Sequence, residues 1–276
     1  MEILGKYERA WRFRPTASYL GRTKTFVLNR CKSSSVEFDG RMMTIPENEY
    51  LQFVILTHNR SREKYFKKII KKGDIVLDLG ANIGYFTCLF AQLVGETGKV
   101  YAFEPEPTNF QLLKKNVEKN NYKNVILEEK AVSNKTHKTR LFLTDNGSMD
   151  HRLYQTDQKR NSVEVDVVKL DDYFKDKDIS FDFIKSDLQG SDIAAIEGMK
   201  EIFKQSKNVK MDFEFAPHMA KGFGSDPVEF IESIEKLGFE FFENARYDTK
   251  PNPLHPNQVK KYAHENIHTH LLIIKE

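Results

Sequence analysis

The sequence predicts an α/β protein with a doubly wound, mostly parallel sheet that presents ligands at the carboxyl ends of its strands. Three observations predict it. The run Ile75 to Leu79 has the length and apolar character of a strand buried on both faces; it breaks at Gly80 and Gly84 and passes into a helical spacing of Phe86, Leu89, Phe90 and Leu93. Strand-like and helix-like segments then alternate from residue 74 to residue 242. Asp78, Glu104, Asp187 and Glu214 all fall at or near expected strand ends, and four acids gathered on one rim are poorly explained by packing.

Residues 1–32 hold eight basic side chains against two acidic ones, so this arm is net +6 while the other 244 residues sum to −3 of the chain's +3. With Trp11, Phe13 and Tyr19 interleaved, the arm suits a solvated cap with weak contact to an anionic membrane surface. A nucleic-acid binder would carry its basic face on the body as well, so no nucleic-acid partner is expected. Val36 to Ile45 reads as a hairpin turning on Asp39-Gly40. Residues 47–58 and 61–71 read as helices, the second with Tyr65, Phe66, Ile69 and Ile70 on one face. The arm, hairpin and first helix form an extension over 1–60, and residues 61–276 form the main domain.

After the central strand, Val100 to Glu104 is a second strand ending in an acid, and Pro107 opens a helix at its tolerated first turn. Val125 to Val132 is a third strand. Thr139 to Thr144 and Ser162 to Leu170 alternate as antiparallel strands, joined by a loop over 145–161 whose length points to function. Phe181 to Leu188 is the fourth core strand, followed by a helix from Ser191-Asp192 through Phe203. Val209 to Phe215 is the fifth, and Asp226-Pro227 caps and opens the next helix. Phe239 to Phe242 and His270 to Ile274 lack a clear crossover helix between them, which favours antiparallel pairing.

The chain's 276 residues suit one α/β domain with an extension, and 39% apolar with 30% charged residues is ordinary for a globular protein. No apolar run is long enough to span a bilayer, and Arg9, Arg12 and Arg14 interrupt any signal-peptide core. The two cysteines, Cys31 and Cys88, make neither a disulfide framework nor a zinc spacing. A cytoplasmic location is therefore expected.

The glycine turn allows close backbone approach, and the helix start offers free N–H groups. A dinucleotide site would show a third glycine and a glycine in the middle of the turn, where Asn82 stands. That disfavours an NAD-dependent oxidoreductase. Asp78 beside the turn suits a cationic ligand, and Glu104 lies where a strand-two acid would hold two ribose hydroxyls. S-Adenosyl-L-methionine (SAM), with an ammonium, a sulfonium and no phosphate, fits both.

Val76-Leu77-Asp78-Leu79-Gly80-Ala81-Asn82-Ile83-Gly84, Ala102-Phe103-Glu104-Pro105, Lys130-Ala131-Val132-Ser133 and Ile184-Lys185-Ser186-Asp187-Leu188-Gln189-Gly190 together resemble the FkbM-type SAM-dependent methyltransferases, from about residue 36 onward. Members most often show a glutamate where Gln189 stands. The chain resembles a branch that also has an Asn-x-Gly loop followed by His-Arg, matched by Asn146, Gly147, His151 and Arg152, and Glu-Phe-x-Pro, matched by Glu214 to Pro217. The resemblance implies the class I methyltransferase fold, Rossmann-like with seven strands, the last antiparallel. It implies SAM bound through its methionine part at Asp78, Gly80, Asn82 and Gly84, through its ribose at Glu104 and with its adenine by Ala131. The reaction implied is O-methylation of a small-molecule or glycan hydroxyl. A SAM-binding regulatory module without turnover is the alternative.

Methyl transfer to a hydroxyl needs a proton acceptor within reach. His151, in the long loop, and Asp187, at a strand end, are the candidates. Arg152 could hold an acidic group of the acceptor, and Glu214 could orient it, with His218 weaker. A Mg²⁺ held by Asp187 and Glu214 ranks below a metal-free site, and the remaining histidines are too irregular for zinc.

Overall fold

The computed structural model describes residues 35–45, 59–144, 150–156, 159–243 and 252–275. The basic arm, the helix expected over 47–58, and Asn146 and Gly147 lie outside the described residues. In chain order the elements are β1 (Ser35–Phe38), β2 (Arg41–Thr44), α1 (Asn59–Ile69), β3 (Ile75–Leu79), α2 (Tyr85–Val94), β4 (Lys99–Phe103) and α3 (Pro107–Lys119). Then follow β5 (Val125–Glu128), β6 (Ala131–Ser133), β7 (His137–Phe142), β8 (Ser162–Lys169), α4 (Leu170–Phe174) and β9 (Phe183–Ser186). The last are α5 (Asp192–Glu197), α6 (Lys200–Gln205), β10 (Lys210–Phe215), α7 (Pro217–Phe223), α8 (Pro227–Lys236), β11 (Glu240–Glu243), β12 (Asn252–Leu254), α9 (Pro256–His264) and β13 (Thr269–Ile274).

The main sheet has the order β12-β11-β13-β10-β9-β3-β4-β5. Strands β5, β4, β3, β9 and β10 are mutually parallel, while β13 enters antiparallel between β10 and β11. Seven of these strands form the expected sheet, and the short β12 adds an eighth at the edge, antiparallel to β11. The chain leaves β3 toward β4 on one side and reaches β9 on the other. The crevice at the carboxyl ends of β3 and β9 is therefore the topological switch point, where such sheets bind ligands.

Both faces of the sheet are covered. Leu77, Leu79, Phe213 and Phe215 pack on one side with Phe203, Phe230 and Ile231. Val76, Val100 and Phe183 pack on the other with Phe66, Phe86 and Phe90, and Cys88 is a fully buried thiol of that layer. The hairpin turns on two left-handed residues, Asp39 (φ 46°) and Gly40 (φ 80°), which match the strand twist. Its strand β2 is paired by side chains: Asn116 of α3 and Asn120, which caps that helix one turn on, bond the backbone of Thr44 and Met42.

The short helices α4 and α7 and the edge strand β12 were not anticipated from the sequence, and three further elements differ from its expectation. The single strand expected over Val125–Val132 divides, since β5 joins the main sheet and β6 pairs parallel with β8 in a separate three-stranded sheet, β6-β8-β7. The helix expected from Ser191 through Phe203 breaks at Gly198, where an added Cβ would lie 2.5 Å from the Ser133 carbonyl oxygen of β6. Asp171 restarts it by accepting from the Glu201 and Ile202 N–H groups. The segment before β13, expected to lack a helix, contains α9, started by Pro256 and a His255–Gln258 capping box. Among the described residues no helix is long and apolar enough to cross a membrane.

Candidate functional site

The glycine turn is clamped from its neighbour strand. Gly80 sits at φ 72°, and a Cβ there would lie 2.2 Å from the Asp187 carbonyl oxygen, so only glycine lets β3 and β9 end side by side. Lys185 of β9, 3% exposed, donates to the carbonyls of Gly80 (2.8 Å) and Leu79 (3.2 Å). Its charge is balanced by Asp78 at 3.2 Å, an ion pair without hydrogen-bond geometry. The other Asp78 oxygen accepts from Thr87 Oγ1 at 2.6 Å. Asp78 is fully buried, so it acts on the turn from beneath, through Lys185 and α2. At the other end of the turn, Gly84 (φ 88°) faces Leu113 of α3, whose Cδ1 would be 2.7 Å from an added Cβ. Both glycines thus answer to protein neighbours.

Glu104 links this turn to the end of β4. It is 5% exposed, and its Oε2 accepts from the Asn82 N–H (2.7 Å) while Oε1 accepts from the Glu106 N–H (3.0 Å). Asn82 holds the left-handed backbone (φ 51°) with its own Oδ1 accepting from the Ile83 N–H. Burial pushes the Glu104 carboxyl up to about 7, against the two N–H donors that favour its charge. Each oxygen retains acceptor capacity beyond its one backbone bond, which suits a vicinal diol. Ala131 begins β6 and is buried with Leu141, Val165 and Val167.

A second cluster lines the ends of β9 and β10. Arg62 of α1, 3% exposed, donates from Nη1 to Asp187 Oδ2 (3.0 Å) and from Nη2 to Asp212 Oδ2 (3.1 Å). Its guanidinium also lies over the Phe86 and Phe66 rings. Burial opposes charge on Asp187, but Lys185 and Arg62 outweigh it and hold this carboxyl well below the usual range. Gln189, in a left-handed conformation (φ 52°), donates from Nε2 to Asp187 Oδ1 (3.0 Å) and Glu214 Oε2 (3.4 Å). Glu214 Oε1 lies 2.8 Å from His268 Nε2. Burial and the Asp187 charge raise the Glu214 carboxyl, while His268 is raised by its bond to Glu214. The turn itself is capped by Asp192, whose carboxylate accepts from Ser186 Oγ and the Leu188 N–H and which burial drives up to about 7.

Described residues of the β7–β8 loop reach α7. Arg152 bridges to Phe142, and Tyr154 packs against Gly222 and the Phe223 ring of α7. His151 Nδ1 accepts from the Thr144 N–H at 3.2 Å. Burial holds its imidazole below the usual value despite Glu106 and Asp150. In that neutral ring Nε2 carries the proton, so His151 as placed has no open lone pair with which to take another. Arg152 is committed to Asp150 (Nε, 2.6 Å) and the Tyr154 hydroxyl (Nη1, 3.0 Å). Arg160 completes the cluster on Asp150.

The sequence motifs of this site extend beyond local geometry. The methyltransferase FkbM domain matches residues 78–241, more than half of the chain. The chain belongs to the FkbM methyltransferase family. The methyl donor of this family is SAM. A probable cobalt-precorrin-6B C(15)-methyltransferase of Saccharolobus solfataricus is 37% identical over 78 residues, 27% of this chain and 39% of that protein. The chain thus matches well under half the length of that curated relative. Among solved structures, the methyltransferase FkbM of Methylobacillus flagellatus aligns over 93% of this chain and 59% of its own, with 13% identity and a TM-score of 0.47. The TYW2 protein of M. jannaschii in complex with AdoMet aligns over 88% and 85%, with 16% identity and a TM-score of 0.46.

Inside and outside the FkbM match, the structure gives partners to residues that the sequence does not single out. Lys185 carried a signal, a lysine inside a predicted core strand, which demands a buried acid nearby. Arg62 carried none, because its partners are 125 and 150 residues away. His268 stood among scattered histidines and is joined to Glu214 only because β13 runs antiparallel beside β10, with Thr269 opposite Phe215.

Proposed function

We propose that this FkbM family member transfers the methyl group of SAM to a hydroxyl oxygen of a sugar, glycan or secondary metabolite. The observation that carries the reading is the Glu104 carboxylate, buried where β4 ends and bonded to the turn at Asn82. Its remaining acceptor sites would take the two ribose hydroxyls, and the turn Gly80, Asn82 and Gly84 would take the methionine part. Asp78 would act through Lys185 on that turn, and Ala131 would close the adenine side. Bound there, SAM supplies an electrophilic methyl group on a cationic sulfur.

The protein's part is to position the acceptor and receive its proton. The rim of Asp187, Gln189 and Glu214 is where an acceptor would lie. An oxygen acceptor is favoured because the rim offers proton-accepting side chains, which a hydroxyl requires and a thioether or amine free base does not. The test is to incubate purified protein and SAM with metabolite and glycan extracts and search for species that gain one methyl group. A gain on a hydroxyl is expected. A gain confined to carbon or nitrogen, or none, would refute the reading.

A further inference from the structure

We propose that His268, oriented by Glu214, is the catalytic base that takes the acceptor's proton. This deepens the methyl-transfer reading and rests on it. The two expected candidates are poorly placed for the task. Asp187 is bonded by Arg62 and Gln189 and held strongly ionised, which makes it a feeble base. His151 presents a protonated Nε2, since Nδ1 is engaged by the Thr144 N–H.

His268 has the opposite arrangement. Its Nε2 lies 2.8 Å from Glu214 Oε1, so the carboxylate fixes Nε2–H as the bonded proton and leaves Nδ1 with the lone pair. Among the described residues no hydrogen bond engages Nδ1. The side chain is 46% exposed whereas that of Glu214 is 10% exposed, so the imidazole stands at the mouth of the rim on a buried support. A base in reach, oriented by a second group that does not itself react, is the arrangement by which hydroxyl nucleophiles are activated. The groups facing the pair are Asp187 and Asp192 from the β9 side, Arg62 from α1, and His218 of α7, whose ring centroid is 5.9 Å from that of His268. The three acids favour the imidazolium that forms; His218 opposes it, and is itself held below the usual range by burial, His268 and Arg152.

In the step, the acceptor oxygen bonds to the methyl carbon as the carbon–sulfur bond breaks. The sulfur keeps that bond's electron pair and loses its charge. The hydroxyl proton passes to His268 Nδ1, giving an imidazolium beside the Glu214 carboxylate, and then leaves to water.

The test uses full-length protein, SAM, and either an acceptor found by the methyl-gain search or a panel of methyl glycosides, with S-adenosylhomocysteine formation as readout. His268→Asn should slow turnover by roughly 100-fold or more with SAM affinity unchanged. Glu214→Gln should lower the His268 imidazole pKa read by NMR and move the acid limb of the rate profile to lower pH in step. Equal turnover in His268→Asn and wild type, or an unmoved His268 titration in Glu214→Gln, would overturn the assignment while leaving methyl transfer intact. No transfer by wild type to any hydroxyl would overturn both.

Discussion

At the residue scale, Glu104 shows how one buried side chain couples structure to ligand and to pH. Its carboxyl titrates near pH 7 because burial penalises the charge, yet a diol is held best by the charged form. About a tenth of the free protein is competent at pH 6 and about nine tenths at pH 8, so SAM should bind about tenfold more weakly at pH 6. Calorimetry at the two pH values checks this, and equal affinities would detach the ribose from Glu104. Glu104→Ala should cost about tenfold or more in affinity, for two lost hydrogen bonds. Arg62 poses a different problem. It lies between Asp187 and the fully buried Asp212, so its loss removes the countercharge of a carboxylate out of reach of water. Arg62→Met should destabilise the fold by about 3–5 kcal/mol, and adding Asp212→Asn should recover part of it. Chemical denaturation measures both, and an unchanged midpoint in Arg62→Met would show that the pair contributes nothing net.

At the scale of elements, what was legible is what repeats locally. The β3–turn–α2 unit was readable because a buried strand, glycines and a helical spacing adjoin in sequence. The α8 helix was readable from Asp226 and Pro227, and Asp226 does accept from the Val228 and Glu229 N–H groups. The division of β5 from β6 was not, since no glycine or proline marks residues 129–130 and only tertiary pairing separates them. Gly198 was a visible warning, but its cause, the Ser133 carbonyl, is remote in sequence. The α9 helix carries a start signal at Pro256, but its nine residues follow the edge strand β12 and connect antiparallel strands, so no crossover spacing marks it. Asn116 belongs to the same class of remote effects: it joins β2 to α3 and also donates to the Ile83 carbonyl of the turn at 2.8 Å. Asn116→Ala removes three bonds in a buried place and should cost about 2–3 kcal/mol, with weaker SAM binding because the turn loosens. A variant that loses stability but binds SAM as before would separate the hairpin from the site.

At the scale of the whole molecule, the rim gathers carboxylates whose charge the fold disfavours. On the rim, Glu104 and Asp192 are each raised to about 7 by burial and Glu214 is raised too; away from it, burial also raises Asp74, before β3, and Asp171, in α4. The native state therefore holds protons that the unfolded chain has already released above its ordinary carboxylate values. Stability of the ligand-free protein must then fall as pH rises from about 4.5 to about 7, and the full penalty is present above that. Asp187 runs the other way, but its contribution is lost only at pH below its ordinary carboxylate range, outside this window. His268, raised by Glu214, adds to the fall, since its stabilisation fades as pH rises through its folded value. His151 and His218, held low, offset some of it below about pH 6.5. Glu104 alone, moved from 4.5 to about 7, accounts for about 3 kcal/mol. For a chain of this size that is a drop of roughly 5–10 °C in the thermal midpoint between pH 5 and pH 8. A thermal scan without ligand across that range decides it: a midpoint that rises with pH would mean that the rim acids are solvated in the free protein. A site whose acids are costly to ionise when empty gains more from a ligand that hydrogen-bonds them, so the same scan repeated with SAM should show its largest stabilisation at the alkaline end.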